Sequence, residues 1–164
     1  MKKTILFIFL VLVIPSIFAT TTTIRPNANG TYFSWNNFGC SSAGEWNCVD
    51  DVAISADHLT SSSNNIKETF NFQDSGLTNE PINSVTLYYY AREISTNKDR
   101  MQPLLHINGS NYIGNNFTLN GSYVYYSQTF LTNPATGSAW TVAEVDALEA
   151  GMRTGLSKGG GNVT

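Results

Sequence analysis

His58 and His106 are the only histidines in this 164-residue chain, and Cys40 and Cys48 are its only cysteines. Acid–base or thiol chemistry would therefore rest on these four residues and twelve carboxylates. No serine stands in a nucleophile elbow, and no HExxH, P-loop or dinucleotide fingerprint occurs. A catalytic cysteine needs a free thiol beside a base, and a spare partner cysteine argues against that. Carboxylate pairs can hydrolyse glycosides, but any acidic chain offers such pairs and their separation is not written in the sequence. The chain reads as a non-enzyme.

The one acidic cluster is Asp50, Asp51 and Asp57, with Glu45 and Asp74 as helpers. Hard carboxylate oxygens are what Ca²⁺ requires, yet the spacing does not match an EF-hand, whose ligands alternate around a central Gly and end on Glu. Solvated turn carboxylates are the plainer reading, and a structural Ca²⁺ on these three aspartates is the alternative. No other cofactor is expected.

Aromatic residues make up 12% of the chain. Trp35, Trp46, Trp140, Tyr88, Tyr90, Tyr123, Tyr125 and Tyr126 exceed what a small core needs, and aromatic faces bind the apolar faces of sugars as well as protein partners. Trp46, flanked by Glu45 and Asn47 between the two cysteines, is expected to be exposed. Trp46, Tyr88 and Tyr90 are the candidate ligand-binding residues, whereas Trp35 and Trp140 suit the core.

The elements that must position these residues begin after a leader. Lys2 and Lys3 precede an apolar run from Ile5 to Ile14, broken by Pro15 and Ser16, and Ile17-Phe18-Ala19 offers a small residue for cleavage. The run is too short for a spanning helix, so residues 1–19 read as a secretory signal peptide and the membrane is met only through it. Export to an oxidising compartment predicts a Cys40–Cys48 disulfide. Loss of the leader leaves seven basic side chains against twelve acids, the wrong sign for a reader of phosphate backbones, and excludes nucleic acid as a partner.

Asn, Ser and Thr form roughly a third of the chain, a bias toward turns and strands over helices. Strands are predicted over Thr20–Ile24, Thr31–Trp35, Ile66–Phe72, Ile82–Ile94, Leu104–Ile107, Tyr112–Leu119 and Ser122–Leu131. Glu68 interrupts the apolar face of its strand and is placed near a rim. In Ile82–Ile94, Val85, Leu87, Tyr89 and Ala91 face one way, and Thr86, Tyr88, Tyr90 and Arg92 the other. Asn108-Gly109 and Asn120-Gly121 favour two-residue hairpin turns and suggest a meander. Thr141-Val142-Ala143-Glu144 is a capping box, Trp140 can staple onto Val145, and Gly151 is placed as a C-cap, giving one helix over Val142–Ala150. The fold class is all-β: an antiparallel two-sheet sandwich, jelly-roll-like, with one short helix near the C-terminus and a single domain over 20–164.

Sequons stand at Asn29, Asn108, Asn116, Asn120 and Asn162. At Asn29, Asn108 and Asn120 the following Gly makes turn formation the competing role.

Cys48-Val49-Asp50-Asp51 with Asp57, and Asn133-Pro134-Ala135-Thr136-Gly137-Ser138-Ala139-Trp140-Thr141 leading to Glu149-Ala150-Gly151-Met152-Arg153, resemble a jelly-roll type β-sandwich module of secreted archaeal and bacterial surface proteins and phage virion proteins. The resemblance runs over nearly the whole chain after the leader and carries no catalytic residues. That type continues past its glycine-rich turn into a final apolar strand, so the domain is expected to lack this strand. The open edges would then allow self-assembly by strand addition, for example of a neighbour's Thr20–Ile24. The expected function is a secreted, non-enzymatic binding or adhesion module for a glycan or surface protein. The alternative is a structural subunit of a surface layer, filament or virion-like assembly.

Overall fold

The best-formed strand shows how alternation sorts this chain. In the computed structural model, which describes residues 20–40, 44–50, 56–94, 100–155 and 161–163, Leu87, Tyr89 and Ala91 of β5 (Val85–Glu93) are buried while Tyr88 between them is exposed. Side chains two apart share a face, so one strand supplies both core and surface.

The described residues form two antiparallel sheets. The six-stranded sheet runs β1 (Pro26–Phe33), β4 (Lys67–Phe72), β10 (Glu149–Thr154), β6 (Arg100–Ile107), β7 (Ser110–Ile113), with β8 (Phe117–Thr118) also paired to β6. The five-stranded sheet runs β2 (Asn36–Phe38), β3 (His58–Ser61), β11 (Gly161–Val163), β5, β9 (Val124–Phe130). Phe70, Met101, Leu105, Ala150 and Met152 from the first sheet share one buried cluster with Leu59, Leu87, Tyr89 and Ala91 from the second. Fully burying a Leu, Phe or Met contributes about 1.5–3 kcal/mol each, which makes this cluster the main source of stability. The fold is all-β with one short helix.

That helix, α1 (Val142–Asp146), begins as its capping box predicts. The Glu144 amide donates to Thr141 Oγ1 at 3.3 Å, and the Thr141 amide donates to Glu144 Oε2 at 2.9 Å. Trp140 and Val145 on either side of the cap are both buried. The helix ends at Asp146 rather than Ala150, because Leu148, Ala150 and Met152 are spent on core positions with the period of a strand. Gly151 is therefore no C-cap. It sits in β10 opposite Thr69, where an added Cβ would lie 2.0 Å from the carbonyl oxygen of Glu68.

Other expectations shift for similar reasons. Thr20–Ile24 forms no strand; β1 instead starts at Pro26, as an edge strand permits, and runs through the Asn29-Gly30 segment by an irregularity in its pairing with β4. Glu68 is not at a rim. It is fully buried in β4, and its Oε2 accepts the Ser34 and Trp35 amides at 2.7 and 2.9 Å where the chain leaves β1.

Asn108 (φ 50°) and Gly109 (φ 76°) make the expected two-residue turn between β6 and β7. Tyr112–Leu119, by contrast, is divided between β7 and β8, the Gly114 amide turning back to Pro103 O at 2.8 Å. Asn120-Gly121 makes no hairpin, because β8 pairs with β6 and β9 with β5, so this segment crosses from one sheet to the other. The meander is thus broken between the sheets. Beyond the glycine-rich segment, β11 pairs with both β3 and β5.

Candidate functional site

Cys40 and Cys48 form the expected disulfide, with Cα atoms 5.1 Å apart and Cys48 fully buried. The bond anchors a 3-10 turn, Glu45–Cys48, against β1 and β2. Trp46 belongs to this turn. Its amide donates to Asn29 Oδ1 at 3.0 Å and its half-buried side chain packs on the core cluster, so it is a wedge under the turn rather than an open platform.

Asp50 and Asp57 are half-buried and Asp51 lies outside the described residues. Among the described residues no three His, Cys, Asp or Glu side chains are placed to hold a metal ion.

The two solvent-side faces differ in how their polar groups are used. On the six-stranded sheet the groups bind one another. Glu149 accepts from the Thr31 amide at 2.6 Å, from Thr31 Oγ1 at 2.9 Å and from the Thr69 hydroxyl. His106 Nδ1 lies 2.7 Å from Asn111 Oδ1, Asn111 Nδ2 donates to Tyr32 OH at 2.9 Å, and Lys67 Nζ lies 4.6 Å from the Tyr32 ring centre. The His58 ring makes a tilted contact with Phe38, ring centres 4.9 Å apart. Both histidines are thus occupied with structure.

The outer face of β5 and β9 is different. Register sets Thr86 opposite Thr129, Tyr88 opposite Ser127 and Tyr90 opposite Tyr125. Tyr88 is 72% and Tyr125 68% exposed, far more than a tyrosine whose ring is needed for packing. Tyr90 supports the row from within: its ring lies 5.2 Å from Tyr123 in a 15° stack and 4.7 Å from Tyr125 in a tilted contact. The Arg92 guanidinium lies 5.1 Å from the Tyr123 ring centre, and the Thr86 and Thr129 hydroxyls bond at 2.9 Å at the other end. The result is an aromatic strip with a neutral polar end and a cationic end.

Tyr88 and Tyr90 therefore sit together, while Trp46 belongs to the packed side of the molecule. Tyr123, Tyr125 and Arg92 join the strip only through the pairing of β5 with β9. Alternation had placed Arg92 on the face of Tyr88 and Tyr90, but the partner strand and its register were not visible in either segment alone.

Two carboxyls outside this strip show how burial and bonding pull in opposite directions. Burial pushes Glu68 up to about 7, against the lowering effect of the Trp35 and Ser34 amides, and the charge of Glu45 adds to the rise. Its Oε1 is buried with no hydrogen-bond partner. Glu144 is held below the ordinary carboxylate range by the Thr141 amide it caps.

The sequons fall in unlike places. Asn108, Asn116 and Asn120 are exposed. Asn29 is half-buried, its Nδ2 donating to Glu45 and its Oδ1 accepting from Trp46. Asn162 stands in β11, which is paired with β3 on one side and β5 on the other. The Asn133–Gly137 segment is a turn built on buried Asn133, whose Oδ1 accepts the Ala135 amide at 2.8 Å and whose carbonyl accepts Gly137 at 2.7 Å.

Compared with known protein families, characterised proteins and solved structures, the chain matches none.

Proposed function

We propose that this is a secreted, non-enzymatic cell-surface binding module that takes up carbohydrate on the outer face of β5 and β9, built as a two-sheet sandwich of the jelly-roll type. The observation that carries this reading is the row of Tyr88, Tyr90 and Tyr125, two of them largely exposed and the third fixed by ring contacts. Rigid aromatic faces stack on the apolar C–H faces of sugars at small entropic cost. The leader and the disulfide support export, and the mutual saturation of the polar groups around His106 and Glu149 supports a binding role over a catalytic one. A structural Ca²⁺ at Asp50, Asp51 and Asp57 stays a proposal of second rank.

The test is a glycan array and polysaccharide pull-down with wild type, Tyr88→Ala and Tyr125→Ala. Binding by wild type with loss of about fivefold or more in each variant, as removal of a stacking ring predicts at about 1–3 kcal/mol, supports the site. If no glycan, cell-wall polymer or cell surface is bound, the reading fails.

The alternative, a structural subunit of a surface assembly, draws on one observation. β11 pairs with Ala91–Glu93 of β5, and among the described residues Val85–Tyr90 has a strand partner only on the β9 side. Such an edge accepts an added strand. Size-exclusion chromatography and negative-stain microscopy separate the two: filaments or sheets favour the subunit, and a strict monomer at high concentration excludes it.

A further inference from the structure

Arg92 has one bonding requirement that no described residue meets. Its Nε is buried without a hydrogen-bond partner, and its guanidinium rests against the ring of Tyr123. An aromatic face attracts the charge but accepts no directed N–H bond in the ring plane, so the contact leaves the donor unsatisfied. Arg92 as a whole is only half-buried, so part of its side chain stays open to an acceptor from outside the chain.

The surroundings say what kind of acceptor. The outward residues of the pair, Thr86, Tyr88, Tyr90 and Arg92 on β5 with Tyr125, Ser127 and Thr129 on β9, include no carboxylate. Among the described residues of this pair Arg92 therefore meets no anion on its own face, in a chain whose net charge is −3. Its position is set by Tyr123, which is itself stacked on Tyr90, so the planar fork is held in place before a ligand arrives. Along β5 these residues follow at every second position, steps of about 7 Å, so a polymer lying on the tyrosines would carry a pendant group to the guanidinium.

We propose that Arg92 with Tyr123 is the anion-recognising end of the strip, and that the ligand is a saccharide bearing carboxylate or sulfate groups. This rests on the reading of the tyrosine row as a carbohydrate site. Arg92 is a specificity residue in it: the tyrosines hold the sugar face, and the guanidinium selects the anionic substituent.

The experiment uses the secreted protein and two matched pairs of polymers: polygalacturonate against its methyl ester, and dextran sulfate against dextran. Affinities are measured at low and at high salt. The expected result is that at least one acidic polymer binds tenfold or more tighter than its neutral partner, about the strength of one charge-assisted hydrogen bond, with the advantage reduced by salt. An advantage for the first pair assigns a carboxylate, and for the second a sulfate. In Arg92→Gln the ratio of acidic to neutral binding falls to about one, while Arg92→Lys keeps part of the ratio; circular dichroism verifies that both variants fold. Equal binding of acidic and neutral polymers, or an undiminished preference in Arg92→Gln, overturns the inference and leaves the tyrosine site standing. Failure of all four polymers, together with an empty glycan array, removes both.

Discussion

The phenolic hydroxyl of Tyr89 donates to the carbonyl oxygen of Gly151 at 2.8 Å, tying β5 of one sheet to β10 of the other from within the core. Burial raises the Tyr89 hydroxyl well above its ordinary range, so it remains a neutral donor. Tyr89→Phe keeps the ring and deletes this bond. It is expected to cost about 1–2 kcal/mol and to lower the thermal midpoint by about 3–6 °C. Differential scanning calorimetry checks this, and an unchanged midpoint would show that the bond contributes nothing net.

Gly151 is a stricter constraint. A methyl group there meets backbone atoms of Glu68 and Thr69 at 2.0–2.9 Å, and a paired strand cannot move aside. Gly151→Ala is expected to destabilise by about 3 kcal/mol or more. Urea unfolding measures it; a loss under 1 kcal/mol would mean that β4 and β10 are more loosely joined than described.

Glu68 makes stability depend on pH in an unusual direction. The folded protein holds this proton up to about pH 7, whereas the unfolded chain releases it near 4.5. Between these values the native state binds more protons, so stability falls as pH rises and levels off above 7, a loss on the order of 3 kcal/mol. Glu68→Gln, which keeps an acceptor for the Ser34 and Trp35 amides, should flatten this slope. Glu80, Glu144 and Asp146 act oppositely: hydrogen bonds hold their carboxyls low, and their contribution disappears as pH falls through those lowered values. Denaturation curves from pH 3 to 8 should place maximal stability at about pH 4 to 5. A maximum at neutral pH in wild type would contradict the burial of a protonated Glu68.

Expression in a host that performs N-glycosylation should leave Asn29 unmodified, because both ends of its amide are engaged in a half-buried contact with Glu45 and Trp46. Occupancy is expected at the exposed sequons of Asn108, Asn116 and Asn120. Peptide mapping by mass spectrometry decides it; a glycan on Asn29 would require the 3-10 turn to open.

Where local chemistry settles local structure, the sequence was readable. Alternation identified the inward set of β5, Asn108-Gly109 announced its turn, Thr141 and Glu144 announced the start of α1, and two cysteines announced their bond. What failed depended on distant neighbours. Glu68 looked like a rim residue because its partners, the Ser34 and Trp35 amides, lie 34 and 33 residues away. Gly151 looked like a cap because the carbonyl that forbids it a side chain belongs to β4. The strip followed the same rule: Tyr88 and Tyr90 were visible on one strand, but Arg92 and Tyr125 acquired meaning only from the register between β5 and β9.

The position of β11 bears on the order of events during folding. Among the described elements it is last in the chain, yet it stands between β3 and β5, which do not pair with each other directly. A ribosome delivers β3 and β5 long before the segment that joins them, so the five-stranded sheet cannot close until β11 has emerged. The earlier strands must wait in an incomplete state, and closure joins β11 to β5, roughly 70 residues before it, and to β3, roughly 100 residues before it, separations that make for slow closure.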